Sequence, residues 1–226
     1  MRLQLLPMEE SDLDEYLDVA WLAFKDEFMG LMYPNGFTDA AREFVKRRTL
    51  DDWQKYPERM RAMKVIDTDV SDDRSHGKIV GAAIWKFYSE DRTEEELQAE
   101  EKASEKRGLP SDCNPALAEE FYGNLAKCKR EIMGGKAYVL LNILATLPEY
   151  HRRGIGGMHM RWGLEQADRL GLPSYLEATP MGRPLYTKLG YEMVRDLEFD
   201  ARKYGCDHDI PHVCMLRPAQ AMDGRP

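Results

Sequence analysis

The alternation of apolar and polar positions divides the chain into a succession of strands and helices. Short runs with period-two alternation or continuous apolar character, bounded by turn residues, predict strands at 2–6, 63–66, 78–88, 138–146, 174–179, 191–199 and 212–216. Apolar positions at helical spacing predict helices at 9–28, 38–60 with a break at Pro57, 90–107, 115–133, 155–170 and 180–189. Strands that alternate with helices in this way predict an α/β protein, with a mixed sheet and helices on both faces.

The segment after residue 137 carries the most specific pattern. Tyr138–Thr146 is almost continuously apolar and stops before Pro148, so it is predicted to be a central strand buried on both faces. A glycine-rich turn follows at once, and an amphipathic helix runs from Ile155 to Leu170 until Gly171 ends it. The predicted order is therefore strand, turn, helix.

Length and composition place this pattern in one globular unit. A chain of 226 residues fits a single domain over 1–226, with a helical insertion at about 90–135. Its 32 basic against 40 acidic residues give a net charge of -8, which argues against nucleic-acid or membrane partners. No apolar run is long enough for a membrane span, so a cytoplasmic protein is expected, as a monomer or homodimer.

The turn from His151 to Gly157 has the features of a phosphate site. The first N–H groups of a helix are unpaired and carry a partial positive charge, so they stabilise an anion without a side-chain cation. Gly154, Gly156 and Gly157 lack the Cβ atoms that would hold a pyrophosphate away from these amides. Arg152 and Arg153 add positive charge beside them.

Two other nucleotide-binding patterns do not fit this turn. A P-loop requires Gly-x-x-x-x-Gly-Lys followed by Ser or Thr, and this run is absent from the sequence. A dinucleotide fold requires a third glycine where this chain has His159. A tight turn whose glycines serve packing alone is the remaining alternative.

At this point the residues resemble the GNAT-type N-acetyltransferase superfamily. His151-Arg152-Arg153-Gly154-Ile155-Gly156 matches its [Gln/Arg]-x-x-Gly-x-[Gly/Ala] motif, with His151 where Gln or Arg is usual. Residues 143–148 resemble the splayed fourth strand of that family, and residues 183–191 its next motif. The resemblance covers roughly residues 137 to 195. It implies the GNAT fold, with a splayed, mostly antiparallel sheet.

The same resemblance implies a function and a set of site residues. It implies transfer of acetyl from acetyl-CoA to an amine, with Tyr186 as the acid that protonates the departing coenzyme A sulfur. A backbone N–H near Leu144 would meet the developing oxyanion. The expected cofactor-binding residues are Leu144, Ala145, Thr146, His151, Arg152, Arg153, Gly154, Ile155, Gly156, Gly157, Met158 and Tyr186.

Residue type and position indicate candidates for the general base and for binding of the acceptor amine. Glu177 follows the predicted cofactor helix near a strand end, where a carboxylate is able to accept a proton from the acceptor amine, or else forms a structural ion pair. Asn142 interrupts an apolar strand, so a buried amide that lines the acceptor site or bonds to backbone is expected. Asp26 and Glu27 are candidates for binding an ammonium group. His76, His159 and the four cysteines show no metal-ligand spacing, so no metal is predicted.

The expected reaction is direct attack of a primary amine, of a small molecule, on acetyl-CoA. A peptide or protein acceptor is the alternative within the enzyme class. A non-catalytic acyl-CoA-binding module is the alternative outside it.

Overall fold

A computed structural model describes residues 1–70 and 77–220, apart from the side chain of Glu27. Seven strands form one sheet: β1 (Leu3–Pro7), β2 (Met60–Asp67), β3 (Lys78–Tyr88), β4 (Tyr138–Thr146), β5 (Ser174–Ala178), β6 (Glu192–Asp196) and β7 (Val213–Arg217). Their order is β1-β2-β3-β4-β5-β7-β6. Only β4 and β5 pair in parallel, and every other neighbouring pair is antiparallel. The predicted mixed, mostly antiparallel sheet is confirmed.

The helices also follow the predicted order. They are α1 (Leu13–Phe24), α2 (Gly30–Met32), α3 (Asp39–Lys55), α4 (Glu94–Lys106), α5 (Pro115–Met133), α6 (Ile155–Leu170) and α7 (Arg183–Lys188). A π-helical turn, Lys25–Met29, joins α1 to α2, and such turns are frequent at functional sites. Local chemistry explains the boundaries. The Thr38 hydroxyl accepts a hydrogen bond from the Ala41 N–H at the start of α3, and Gly171 ends α6 in the left-handed conformation.

Helix α6 packs closely on the centre of one sheet face. A Cβ at Gly163 would stand 2.1 Å from the ring of Trp85, which is fully buried in β3. A Cβ at Gly81 would stand 2.4 Å from the Ile155 side chain. The two glycines therefore let the helix and the strand approach each other along the whole first half of α6.

The insertion between β3 and β4 belongs to the core of the opposite face. Helix α5 packs with Phe28, Tyr138 and Tyr175 in one buried cluster. Helix α4 is more exposed, and three of its carboxylates, those of Glu94, Glu100 and Glu101, pair with arginines outside the helix. Glu100 lies 2.6 Å from Arg59 Nη1 and 2.9 Å from Arg92 Nη1. The first pair ties α4 to the start of β2, and the second ties it to the segment that follows β3.

Across residues 1–70 and 77–220, no helix combines the length and the apolar character needed to cross a bilayer. His76, which was considered as a metal ligand, lies outside the described residues.

Candidate functional site

The centre of the sheet opens between its two parallel strands. β4 and β5 pair only from Val139–Leu141 to Ser174–Leu176, and beyond these residues they separate. β4 also carries a bulge on its other side, because Ile84 and Trp85 of β3 face Ile143 and Leu141 and leave Asn142 without an opposite residue. A bulge redirects the backbone groups that follow it.

The bulge leaves two backbone N–H groups of β4 facing the gap. The Leu147 N–H donates to the Val80 carbonyl of β3 at 3.0 Å, as in an ordinary ladder bond. Since successive N–H groups of a strand alternate between its two edges, those of Leu144 and Thr146 point the other way, towards β5. There β5 has already diverged. A ligand in the gap would therefore find unused backbone donors on Leu144 and Thr146.

The turn between β4 and α6 offers further free donors. Arg152 and Gly154 both adopt positive φ, at 61° and 86°, on either side of Arg153. Within the described residues, the N–H groups of Arg152, Arg153 and Gly154 donate to no protein acceptor. The first-turn N–H groups of α6 are free as well, since the first helical bond at this end is Met158 N–H to Gly154 carbonyl, 3.0 Å. Concave arrays of this kind bind anions.

Side chains fix this turn against the end of β4. The Nε2 atom of His151 lies 3.1 Å from the Thr146 carbonyl oxygen, so the ring bridges the strand and the turn. The Arg153 guanidinium stacks 4.9 Å from the centre of the Tyr150 ring and remains exposed. Arg152 is exposed beside it. The turn is thus held by His151 and keeps two cations at its rim.

The start of α6 touches both the gap and the following helix. A Cβ at Gly156 would lie 3.1 Å from Leu185 Cδ2 and 3.8 Å from Leu144 Cδ2. Ile155 is buried and Met158 half-buried against Ala145 and its neighbours. These contacts bring the predicted cofactor-binding residues of β4 close to those of the turn.

Tyr186 lies on the α6 side of the sheet. Its ring is 7% exposed and packs against Tyr191, with ring centres 6.0 Å apart. A Cβ at Gly182 would stand 2.7 Å from this ring, so the glycine makes room for it. The hydroxyl forms no hydrogen bond with any described residue. Burial raises the pKa of Tyr186, and the hydroxyl therefore keeps its proton at neutral pH.

Glu177 lies on β5 and shares the sheet face of Tyr175, opposite to α6. It is half-buried, and β7 pairs with it through Cys214. Burial raises the pKa of Glu177 above its ordinary value, while the positive charge of Lys129 on α5 lowers it. A carboxyl group whose pKa is raised in this way accepts a proton more readily than an exposed one.

Asn142 and Glu27 were both predicted to bind the acceptor, and the structure describes the side chain of Asn142 alone. Asn142 is exposed and occupies the β4 bulge, so the expectation of a buried amide was wrong. The physical reason is that an extra residue in a strand leaves the regular in-and-out alternation on which that expectation rested. Glu27 lies in the π-helical turn, and its side chain is outside the described residues.

A cavity of about 470 Å³ adjoins this turn. Lys25, Asp26, Gly30 and Leu31 line one wall, and residues 205–208 line the other. The second wall precedes β7, whose first residue, Val213, pairs with Ala178 at the end of β5. The chain that forms the second wall therefore leads to the end of β5 from which β4 has diverged.

Comparisons with known proteins were consistent with this geometry. No protein-family model matches the chain. A curated relative, "Probable acyltransferase SID5" of Ajellomyces capsulatus, is 49% identical over 85 residues, which cover 36% of this chain and 62% of that protein. The chain thus spans less than two thirds of the length of this relative.

Solved structures match over nearly the whole chain. Arylalkylamine N-acetyltransferase 2 of Aedes aegypti aligns over 97% of this chain and 100% of its own, with a TM-score of 0.65 and 13% identity. The PaiA N-acetyltransferase of Thermoplasma acidophilum, in complex with coenzyme A, aligns over 96% and 99%, with a TM-score of 0.55 and 14% identity. The chain has the fold of the GNAT-type N-acetyltransferases.

The GNAT fold is shared by enzymes with different acceptors. The ribosomal-protein-S18-alanine N-acetyltransferase of Escherichia coli aligns over 99% of this chain and 97% of its own, with a TM-score of 0.54 and 13% identity. Small amines and a protein thus both occur as acceptors among the neighbours, so the fold by itself leaves the acceptor class open.

Proposed function

We propose that this protein is an acetyl-CoA-dependent N-acetyltransferase that acts on the primary amine of a small molecule. One observation carries the proposal: the gap between β4 and β5 lies directly beside the free N–H groups of the turn after β4. An acyl donor with a pyrophosphate and an extended amide-containing arm requires this pair of features. The turn would hold the pyrophosphate, and the edge of β4 would bind the arm.

The residues at the gap fit this donor chemically. Gly154 has the positive φ that keeps the turn open, and neither Gly154 nor Gly156 places a side chain over the amides. Arg152 and Arg153 add two positive charges to a chain whose net charge is negative. When bound, acetyl-CoA supplies an activated thioester carbonyl.

The residues beside the gap supply the remaining chemistry. Glu177 takes the proton that the amine loses as its nitrogen bonds to the carbonyl carbon. The Leu144 N–H stabilises the negative charge that develops on the carbonyl oxygen. Tyr186 gives its proton to the sulfur as the carbon–sulfur bond breaks. The products are an amide and a free thiol, without a covalent enzyme intermediate.

A small acceptor is supported by the cover over one face of the sheet. Helix α5 and the helical turn at Lys25–Met29 cover the sheet face that carries Glu177. The space beside this turn is a surface cavity of about 470 Å³ that is open to solvent. An open groove for an extended peptide would require this cover to be absent.

The first test is calorimetric titration with acetyl-CoA of the wild type, Gly154→Ala and Gly171→Ala. Gly154 precedes α6 and Gly171 follows it, and both have positive φ. A Cβ at either position would meet nothing within 4 Å. Both variants should therefore lose similar stability, about 1–2 kcal/mol, from backbone strain. Gly154→Ala should bind acetyl-CoA at least tenfold more weakly, while Gly171→Ala should bind like the wild type.

A thiol-release assay then separates the acceptor classes. Polyamines, aminosugars, amino acids and peptides are offered with acetyl-CoA. Release with small amines supports the proposal, and release with peptides alone favours the peptide or protein alternative. Tight acetyl-CoA binding without thiol release from any acceptor favours the non-catalytic binding module. Equal acetyl-CoA binding by wild type and Gly154→Ala contradicts the location of the donor site.

A further inference from the structure

Three consecutive residues on the loop before β7 bring different metal-binding donors together. Cys206 Sγ, an oxygen of Asp207 and a ring nitrogen of His208 all lie within 4.8 Å of one another. The distance from Cys206 Sγ to His208 Nδ1 is 3.7 Å, and Asp207 Oδ1 contacts the same nitrogen. Two donor atoms that share one metal ion at roughly 2.0–2.3 Å from each lie at a separation like that between Cys206 Sγ and His208 Nδ1. Spacing rules overlook this set because its members are adjacent in sequence.

The geometry argues against a Cys–His–Asp catalytic relay. In a relay the imidazole uses one nitrogen for the nucleophile and the other for the carboxylate. Here the thiol and the carboxylate both approach Nδ1 of His208. The three donor groups therefore cluster at one place instead of forming a chain.

The surroundings offer the charge and the space that a cation requires. The three residues line the cavity of about 470 Å³, and Asp26 lines its opposite wall on the π-helical turn. Cys206 is half-buried, while Asp207 and His208 are exposed, so an ion can enter from solvent. Asp26 and Asp207 bring two carboxylates to this cavity, against one positive charge from Lys25.

We propose that Cys206, Asp207 and His208 form a binding site for a divalent transition metal of the zinc class. The soft sulfur and the imidazole nitrogen favour zinc or cobalt over magnesium or calcium, which prefer oxygen ligands. A loaded site supplies three protein ligands and turns its open position to the cavity, where Asp26 is within the same lining.

Cobalt titration of the full chain tests this site directly, because a thiolate ligand produces an intense charge-transfer absorption that carboxylates and imidazoles do not. The wild type should show this band and saturate at one ion per chain. Cys206→Ser should lose the band. His208→Asn should keep it with an affinity at least about tenfold lower. The control is Cys113→Ser, which removes a cysteine buried elsewhere and should leave the band unchanged.

Competition with zinc and circular dichroism complete the test. Zinc should displace cobalt and abolish the band. The Cys206→Ser and His208→Asn variants should keep the wild-type circular dichroism spectrum, because both positions are on a partly exposed loop. The absence of a band in the folded wild type, or its persistence in Cys206→Ser, would overturn the proposal. Neither result bears on acetyl-CoA binding, which is measured separately on the turn before α6.

Discussion

Two tyrosines that lie side by side differ in what their hydroxyl groups do. The Tyr186 hydroxyl has no protein partner among the described residues, whereas the Tyr191 hydroxyl lies 2.5 Å from Ser174 Oγ in the buried core. The Tyr186 hydroxyl is therefore available to a ligand, whereas the Tyr191 hydroxyl is already used within the core. The contrast makes Tyr191 a matched control for the role of Tyr186.

We expect Tyr186→Phe to lower kcat by roughly 100-fold, which is the usual contribution of a general acid. Its stability and its acetyl-CoA affinity should be close to those of the wild type, because no hydrogen bond is lost. Tyr191→Phe should instead reduce the free energy of unfolding by about 1–3 kcal/mol, since Ser174 loses its partner. Steady-state kinetics and urea unfolding measure both variants. Unchanged kcat in Tyr186→Phe would remove the acid role.

The raised pKa of Glu177 leads to a prediction that couples stability to activity. Because the folded state favours the protonated carboxyl, the folded protein binds more protons than the unfolded chain above the ordinary pKa of 4.5. The charged Glu177 carboxylate therefore does not destabilise the folded state below that pH. Its cost grows as the pH rises through the raised pKa of Glu177 in the folded state. Glu177→Gln should therefore be more stable than the wild type at neutral pH and equal to it at about pH 4.

The same variant should lose activity. Kinetics at neutral pH should show kcat reduced by roughly 100-fold in Glu177→Gln, because the amide accepts no proton. Urea unfolding at the two pH values gives the stability difference. A variant that is less stable at neutral pH and fully active would show that Glu177 is only a structural partner.

At the scale of elements, the contact of α6 with the sheet decides where the turn and its free N–H groups lie. Gly163 permits this contact because the Trp85 ring occupies the space that a side chain would need. Gly123, in the middle of α5, has nothing within 4 Å of its Cβ position. Gly163 is therefore required for packing, whereas Gly123 has space for a side chain.

We expect Gly163→Ala to lower the free energy of unfolding by about 1–3 kcal/mol, because the added methyl group overpacks the core. It should also weaken acetyl-CoA binding, since a displaced α6 moves the turn. Gly123→Ala should raise stability by about 0.5–1 kcal/mol, through the better helix propensity of alanine. Thermal unfolding and calorimetry check both. Equal effects of the two variants would contradict the packing argument.

At the scale of the whole molecule, the insertion at α4 and α5 is anchored by unequal ion pairs. Glu100 pairs with Arg92, whose side chain is 8% exposed and stacks 3.9 Å from the Tyr88 ring. Glu101 pairs with Arg130 at 3.6 Å, and its side chain is 51% exposed. Exposed pairs contribute little because water screens them, whereas a buried charge without its partner is costly.

Glu100→Ala should therefore lower the free energy of unfolding by about 1–3 kcal/mol, because it leaves the Arg92 guanidinium unpaired in the core. Glu101→Ala should change it by less than about 0.5 kcal/mol. Urea unfolding of both variants measures the difference. A loss of less than about 0.5 kcal/mol in both variants would mean that neither ion pair stabilises the insertion.

The sequence by itself determined the elements and the glycine-rich turn between β4 and α6. Apolar periodicity, Thr38 and the glycines at helix ends act over a few residues, so they indicate where β3, α5 and α6 begin and end. The glycine spacing of the turn from His151 to Gly157 is equally local. For this reason the fold class and the position of the free N–H groups could be predicted.

The tertiary structure decided what depends on register and on distant parts of the chain. The bulge at Asn142 is set by how β3 pairs with β4, and it turns Leu144 and Thr146 towards the gap. The neighbours that shift the pKa of Glu177 come from α5, and the cavity joins residues 25–31 to residues 205–208. Contacts between residues far apart in sequence leave no local pattern, so only the folded chain could show them.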